Sequence, residues 1–142
     1  MQQTLAIFKP DCIQNKALGQ VLARIEAADF HIKALRMMRL TKPMARTFYF
    51  IHKGKPFYDD LVSFMIEGPV VVAVLEKEDA VQAWRSLMGA TDPSKAEPGT
   101  IRRDFGSSVS RNTVHGSDSA ENARREIDFF FSRWEWAAEG YE

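Results

Sequence analysis

At 142 residues the chain has the length of one domain, and burying roughly 70% of its unfolded surface provides a core without disulfide or metal staples. With 45% hydrophobic and 27% charged residues it is too apolar for a disordered tail and is expected to fold. Nineteen Lys and Arg cancel nineteen Asp and Glu, so the chain lacks the long-range pull on a phosphate backbone that marks a nucleic-acid binder.

Leu5-Ala6-Ile7-Phe8, closed by Lys9-Pro10-Asp11, reads as a buried strand with Lys9 at its carboxyl end. Leu18, Val21, Leu22 and Ile25 share one helical face, predicting a helix from about Lys16 to Ala28. His31 to Leu40 alternates loosely and is expected at the sheet edge. Pro43 opens a helix whose stripes are Met44, Phe48, Ile51 and Ala45, Tyr49, His52, and Gly54-Lys55-Pro56 ends it. The next helix starts near Phe57, buries Leu61, Phe64 and Met65, and stops at Gly68-Pro69. Val70 to Leu75 is a continuous apolar run, expected to be a central strand covered on both faces. A further helix buries Ala80, Val81, Trp84, Leu87 and Met88. Ala90 to Asn112 shows no sustained period, and a structureless connection longer than ~12–15 residues is uncommon unless functional. Thr113-Val114-His115 reads as a short last strand, with helix caps at Ser117, Asp118 or Ser119 and a final helix whose face is Ala120, Ala123, Ile127, Phe130 and Phe131. This alternation predicts an α/β sandwich, one sheet with helices against it, in a single domain spanning residues 1–142.

The single Cys12 cannot close an intrachain disulfide, which fits a reducing compartment. The longest apolar run falls far short of the ~18 residues of a membrane span, and Met1 to Leu5 carries no basic and apolar leader pattern. The cytoplasm is the expected location, with no membrane partner.

Neither a GxxxxGK[ST] loop nor a GxGxxG turn is present, so side chains must do the work of binding phosphate. Lys9, Arg85, Arg102 and Arg111 fall at strand ends, helix flanks and the long loop, although a solvated surface charge is the ordinary fate of any one of them. Among three histidines, His31 reads as structural and His52 shares a helical stripe with Tyr49. His115 ends a strand ahead of a capped helix. A histidine with an unperturbed pKa of ~6.5 keeps a ring lone pair near neutrality that can attack phosphorus.

The segment Asn112-Thr113-Val114-His115-Gly116-Ser117-Asp118-Ser119 resembles the active-site signature of nucleoside diphosphate kinases. Ile7-Phe8-Lys9-Pro10-Asp11 is similar to that family's first strand and turn, Lys55-Pro56-Phe57-Tyr58 to its base-binding segment, and Gly89 to Arg102 to its long loop. The resemblance implies a ferredoxin-like α+β sandwich with a four-stranded antiparallel sheet. It also implies a ping-pong transfer of the γ-phosphoryl group from a nucleoside triphosphate, mainly ATP, to a nucleoside diphosphate. His115 would be the nucleophile through its δ nitrogen, with Glu126 orienting it through the other nitrogen. Lys9, Arg85, Thr91 and Arg102 would hold phosphates, and Asn112 with Lys9 would meet the ribose hydroxyls. Phe57 and Val109 would sandwich the base, while Tyr49 and His52 would line the cleft. No clustered carboxylates form a metal cage, so Mg2+ would arrive on the nucleotide phosphates. ATP, GTP, ADP and GDP are the implied ligands, nucleic acid is not an obligatory one, and the assembly would be a homo-oligomer. Two places depart from the family pattern: Arg103, where small residues are common, and the aromatic, acidic tail from Arg133 to Glu142. The alternative reading is a non-catalytic nucleotide sensor on the same fold, for which a nucleophile at His115 would be superfluous.

Overall fold

The computed structural model describes residues 1–135; the tail from 136 to 142 lies outside the described residues. Four strands, β1 (Gln2–Phe8), β2 (His31–Met38), β3 (Val70–Lys77) and β4 (Val114–Gly116), form one antiparallel sheet in the order β2-β3-β1-β4. This is the ferredoxin-like arrangement. β1 and β3 occupy the middle, and their facing pairs alternate between two apolar layers. Leu5 opposite Val74 and Ile7 opposite Val72 turn to one layer; Ala6 opposite Ala73 and Phe8 opposite Val71 turn to the other. The unbroken apolar runs of both strands follow from this double coverage, since no position between Leu5 and Phe8 or between Val70 and Leu75 meets water.

Three helices cover the first layer: α3 (Lys42–Phe48), α4 (Tyr58–Met65) and α7 (Ala120–Phe130), through Ala45, Phe48, Val62, Met65, Ile127 and Phe130. The second layer is closed by α1 (Pro10–Gln14), α2 (Leu18–Ala27), α5 (Ala80–Met88) and α6 (Ile101–Phe105), through Cys12, Val21, Ile25, Trp84, Met88 and Ile101. Each fully buried large side chain of this kind contributes ~1.5–3 kcal/mol by leaving water. Thr41, Thr100 and Ser119 cap α3, α6 and α7 by accepting from Met44, Arg103 and Asn122 backbone N–H groups. Each such cap is worth ~1 kcal/mol.

The structure departs from the sequence expectations in short elements. Lys9-Pro10-Asp11 is not a plain turn: proline at a first helical position opens α1, where its missing N–H costs nothing. The helix expected to run to Gly54 ends at Phe48 and continues as a 3-10 turn over Phe50–His52. The supposedly structureless 90–112 segment contains a 3-10 turn at Pro93–Lys95 and α6, both too short to impose a period on the sequence. β2 lies at the sheet edge as its alternation indicates, leaving Leu35 and Met37 about half exposed.

Candidate active site

His115 stands on β4, held opposite Ile7 of β1 by the sheet ladder, and its backbone carbonyl accepts from the indole Nε1–H of Trp84 at 3.2 Å. Behind it, α7 brings in Glu126, whose Oε1 lies 2.7 Å from His115 Nε2. The Ser117 hydroxyl donates to the same oxygen at 3.1 Å. The carboxylate accepts the proton on Nε2, which leaves the Nδ1 lone pair for other partners. Phe48 and Tyr49 meet the imidazole edge-on, at ring separations of 5.5 and 6.0 Å, and fix the plane in which that lone pair lies. Glu126 is eleven positions from His115, and spacing alone does not join them; the β4-to-α7 connection does.

Toward β1 the same cleft, about 630 Å³, becomes cationic. Lys9 Nζ donates to Asn112 Oδ1 at 2.8 Å, and Asn112 Nδ2 donates to the Thr91 carbonyl at 3.0 Å. Burial, together with the charge of Arg102, lowers the Lys9 pKa to about 8. Burial and the neighbouring Arg85 bring Arg102 down to about 10, leaving it charged at neutral pH. Arg102 spends Nη1 on the Gly89 carbonyl and Nη2 on the Val114 carbonyl, at 3.1 and 2.9 Å, so it also knits α6 to β4. Arg85 reaches the cleft from the exposed side of α5. The Tyr49 hydroxyl and Arg102 Nε are buried on the cleft wall without a hydrogen-bond partner among the described residues. Burial pushes the Tyr49 pKa up, so it remains a neutral donor. Unpaired buried donors converging on one cleft call for an oxygen-rich ligand.

At the mouth, Phe57 just before α4 and Val109 at the tip of a turn are 48% and 56% exposed, leaving two apolar surfaces for a flat group to cover. That turn is closed by Ser107 and Ser108 N–H groups donating to the Arg111 carbonyl. His52 packs 5.2 Å from the Phe57 ring, and burial with the nearby Lys55 charge lowers its pKa, keeping it neutral near pH 7. Every residue to which the family resemblance assigned a role, from Lys9 to Glu126, lines this one cleft.

Two arginines stand elsewhere. Arg111 is not on the cleft wall: it makes a two-pronged bond to the Glu67 carboxylate at 2.9 and 3.0 Å and stacks on Phe64, anchoring the turn that carries Val109. Arg103 donates to the Ser94 and Ala96 carbonyls and staples α6 to the 3-10 turn at Pro93–Lys95. The sequence reading missed Asp118 as a cleft residue because it took it for a possible cap. Ser119 takes the cap, while Asp118 faces the cleft with its pKa lowered chiefly by the Asn122 side-chain amide. Leu61 and Gly116, also on the wall, carry no chemistry a sequence would flag.

A family model for nucleoside diphosphate kinase matches residues 2–136. The chain is 54% identical over 135 residues to the nucleoside diphosphate kinase of Geotalea uraniireducens, covering 95% of this chain and 98% of the relative. It is 57% identical over 130 residues to nucleoside diphosphate kinase 1 of Protochlamydia amoebophila, covering 92% of each. Among solved structures, it resembles the Aquifex aeolicus nucleoside diphosphate kinase with a TM-score of 0.93 at 46% identity, over 95% of this chain and 98% of that one. It also resembles a Halobacterium salinarum nucleoside diphosphate kinase in complex with CDP, with a TM-score of 0.91 at 38% identity over 99% of each. A family model that matches residues 2–136, and relatives more than half identical along nearly the whole chain, make it a member of the nucleoside diphosphate kinase family of phosphotransferases.

Proposed function

We propose that the chain moves the γ-phosphoryl group of a nucleoside triphosphate, mainly ATP, to a nucleoside diphosphate through a phosphohistidine at His115. The observation that carries this reading is the 2.7 Å contact of His115 Nε2 with buried Glu126, which reserves Nδ1 for the cleft. In the first half-reaction the Nδ1 lone pair forms a bond to the γ-phosphorus as the bond to the β,γ-bridging oxygen breaks, and the diphosphate leaves. In the second, a terminal oxygen of another diphosphate attacks the same phosphorus and the P–N bond breaks. Phosphoryl transfer depends on positioning and charge neutralisation, and Lys9, Arg85 and Arg102 supply positive charge with Thr91 as a further phosphate contact. Tyr49 donates its unpaired hydroxyl to the nucleotide, Asn112 and Lys9 meet the ribose hydroxyls, and Phe57 and Val109 enclose the base with His52 beside them. Stacking of that kind reads no base edge, so ATP, GTP, ADP and GDP all fit, as CDP is bound in the Halobacterium salinarum relative.

Among the described residues no group of three His, Cys, Asp or Glu could hold a metal by itself. The cleft suits a divalent ion carried by the nucleotide, with Asp118 the carboxylate facing it. Bound Mg2+ would neutralise phosphate charge. We infer a homo-oligomer working in the cytoplasm. The half-exposed Leu35 and Met37 on edge strand β2 support a subunit contact, and the single buried Cys12 suits a reducing compartment. Among the described residues no helix is long and apolar enough to cross a membrane.

Incubation with γ-labelled ATP and denaturing electrophoresis tests the reading. The wild-type chain should acquire an acid-labile, alkali-stable label that a nucleoside diphosphate removes. His115→Ala should take none while still binding nucleotide. Wild-type protein that binds nucleotide without labelling would be a sensor instead.

A further inference from the structure

The segment that carries Asn112 and His115 passes through a backbone conformation that its sequence disfavours. Thr113 has φ +76°, in the region that favours glycine, and for a β-branched residue this is a genuine outlier. Val114 N–H donates to the Asn112 carbonyl at 2.8 Å, closing a three-residue γ-turn about Thr113. γ-Turns with positive φ are rare and strained, and they persist only where the surroundings over-determine them.

The surroundings come from one short stretch, where β1 gives way to α1. Lys9 N–H donates to the Thr113 carbonyl at 2.9 Å, and Thr113 N–H donates to Asp11 Oδ2 at 3.0 Å. The Lys9 ammonium holds Asn112 at 2.8 Å. Thus both backbone polar groups of the strained residue and the side chain before it are gripped by Lys9 and Asp11. Asp11 is 5% exposed, does not line the cleft, and leaves Oδ1 without a partner among the described residues. Burial raises its pKa, despite the bond from Thr113. A buried carboxylate is costly to keep, and this one accepts from Thr113 N–H across 102 positions of chain.

We propose that Asp11 is a positioning residue of the phosphotransfer site: by accepting from Thr113 N–H it clamps the γ-turn that sets Asn112 against Lys9. This rests on the reading of the cleft given under Proposed function. His115 is held separately, by pairing with Ile7 and by Trp84 on its carbonyl. Loss of the clamp therefore acts on nucleotide binding more than on the chemical step.

The experiment compares Asp11→Ala, Asp11→Asn, Thr113→Gly and the double variant Asp11→Ala/Thr113→Gly in steady-state kinetics. Asp11→Ala should raise the nucleotide KM about tenfold with kcat within about threefold, the size expected for losing a hydrogen bond to a charged acceptor. Asp11→Asn keeps an acceptor oxygen and should hold KM within about threefold of wild type. Glycine takes positive φ without a steric penalty, so Thr113→Gly should work normally and should return the Asp11→Ala KM to within about threefold of wild type. An Asp11 that merely supports the fold would lower Tm without moving KM, and glycine at 113 would rescue nothing. Unchanged KM in Asp11→Ala, or a double variant as impaired as Asp11→Ala, overturns the proposal. Should Asp11→Ala fail to fold, the double variant decides: folded with near-normal KM it supports the clamp, and unfolded or with KM still raised it refutes it. His115→Ala run alongside separates the two ideas. Label on that variant sinks the reading of the cleft, whereas an inert His115→Ala beside an unaffected Asp11→Ala sinks only the clamp.

Discussion

Lys9 keeps a positive charge where burial and the Arg102 guanidinium both oppose it, and its pKa falls from 10.5 to about 8. Between those values the unfolded chain binds a proton that the folded chain has released. The group therefore weighs against folding below about pH 8, and that penalty is relieved as pH rises through the window. The phosphate-binding role proposed for Lys9 runs the other way. kcat/KM reports the free enzyme, and it should fall above pH 8 by roughly tenfold per unit as Lys9 loses its charge. A flat kcat/KM profile from pH 7 to about pH 9.5 would remove Lys9 from phosphate binding. Glu126 offers a second test at this scale. Glu126→Gln keeps a hydrogen bond to His115 but loses the charge that offsets a phosphorylated ring, and removing such a preorganised partner costs on the order of 10²-fold. Single-turnover formation of phosphohistidine should slow by that factor with nucleotide affinity little changed. An unaltered rate would leave Glu126 without an orienting role.

Between elements, β4 fits tightly on α5. A Cβ on Gly116 would sit 2.5 Å from Trp84 Cδ1 and 2.6 Å from Met88 Cε. Trp84 is fully buried and has nowhere to retreat, so Gly116→Ala should destabilise by ~1–3 kcal/mol, the usual cost of overpacking. Urea denaturation measures this, and a wild-type midpoint would show that the indole yields. The same scale explains what could be read ahead of the structure. β1 and β3 were legible because double burial writes an unbroken apolar run, and α2, α5 and α7 because two or more turns write a period. α1 and α6 have five residues each, too few for any period, and neither was expected from the sequence. Arg103 could not be interpreted from its charge; its partners are backbone carbonyls, which leave no trace in a sequence.

Across the whole molecule the cleft draws on both ends of the chain. Lys9 and Asn112 are 103 positions apart, and no spacing rule brings them together. The residue types of the site were legible through the signature around His115. Their contacts were not, because the sheet order β2-β3-β1-β4 is what sets β4 beside the end of β1. Arg111 shows the limit: its place in the chain suggested a phosphate ligand, yet Glu67 and Phe64 hold it outside the cleft.

The double coverage of the sheet bears on how that alignment is kept. Where both faces are apolar, over Leu5 to Phe8 and Val70 to Leu75, polarity does not distinguish the native register from a one-residue slip, since those side chains would still enter an apolar layer. Volume can. Ala6 meets Ala73 in the layer that holds Trp84, while Leu5 and Ile7 meet valines in the other. A slip would drive leucine and isoleucine toward the indole and leave holes of alanine size opposite, errors worth on the order of several kcal/mol. The register on β3 of the strand that leads into Lys9 is thus set by the sizes of side chains that do not line the cleft.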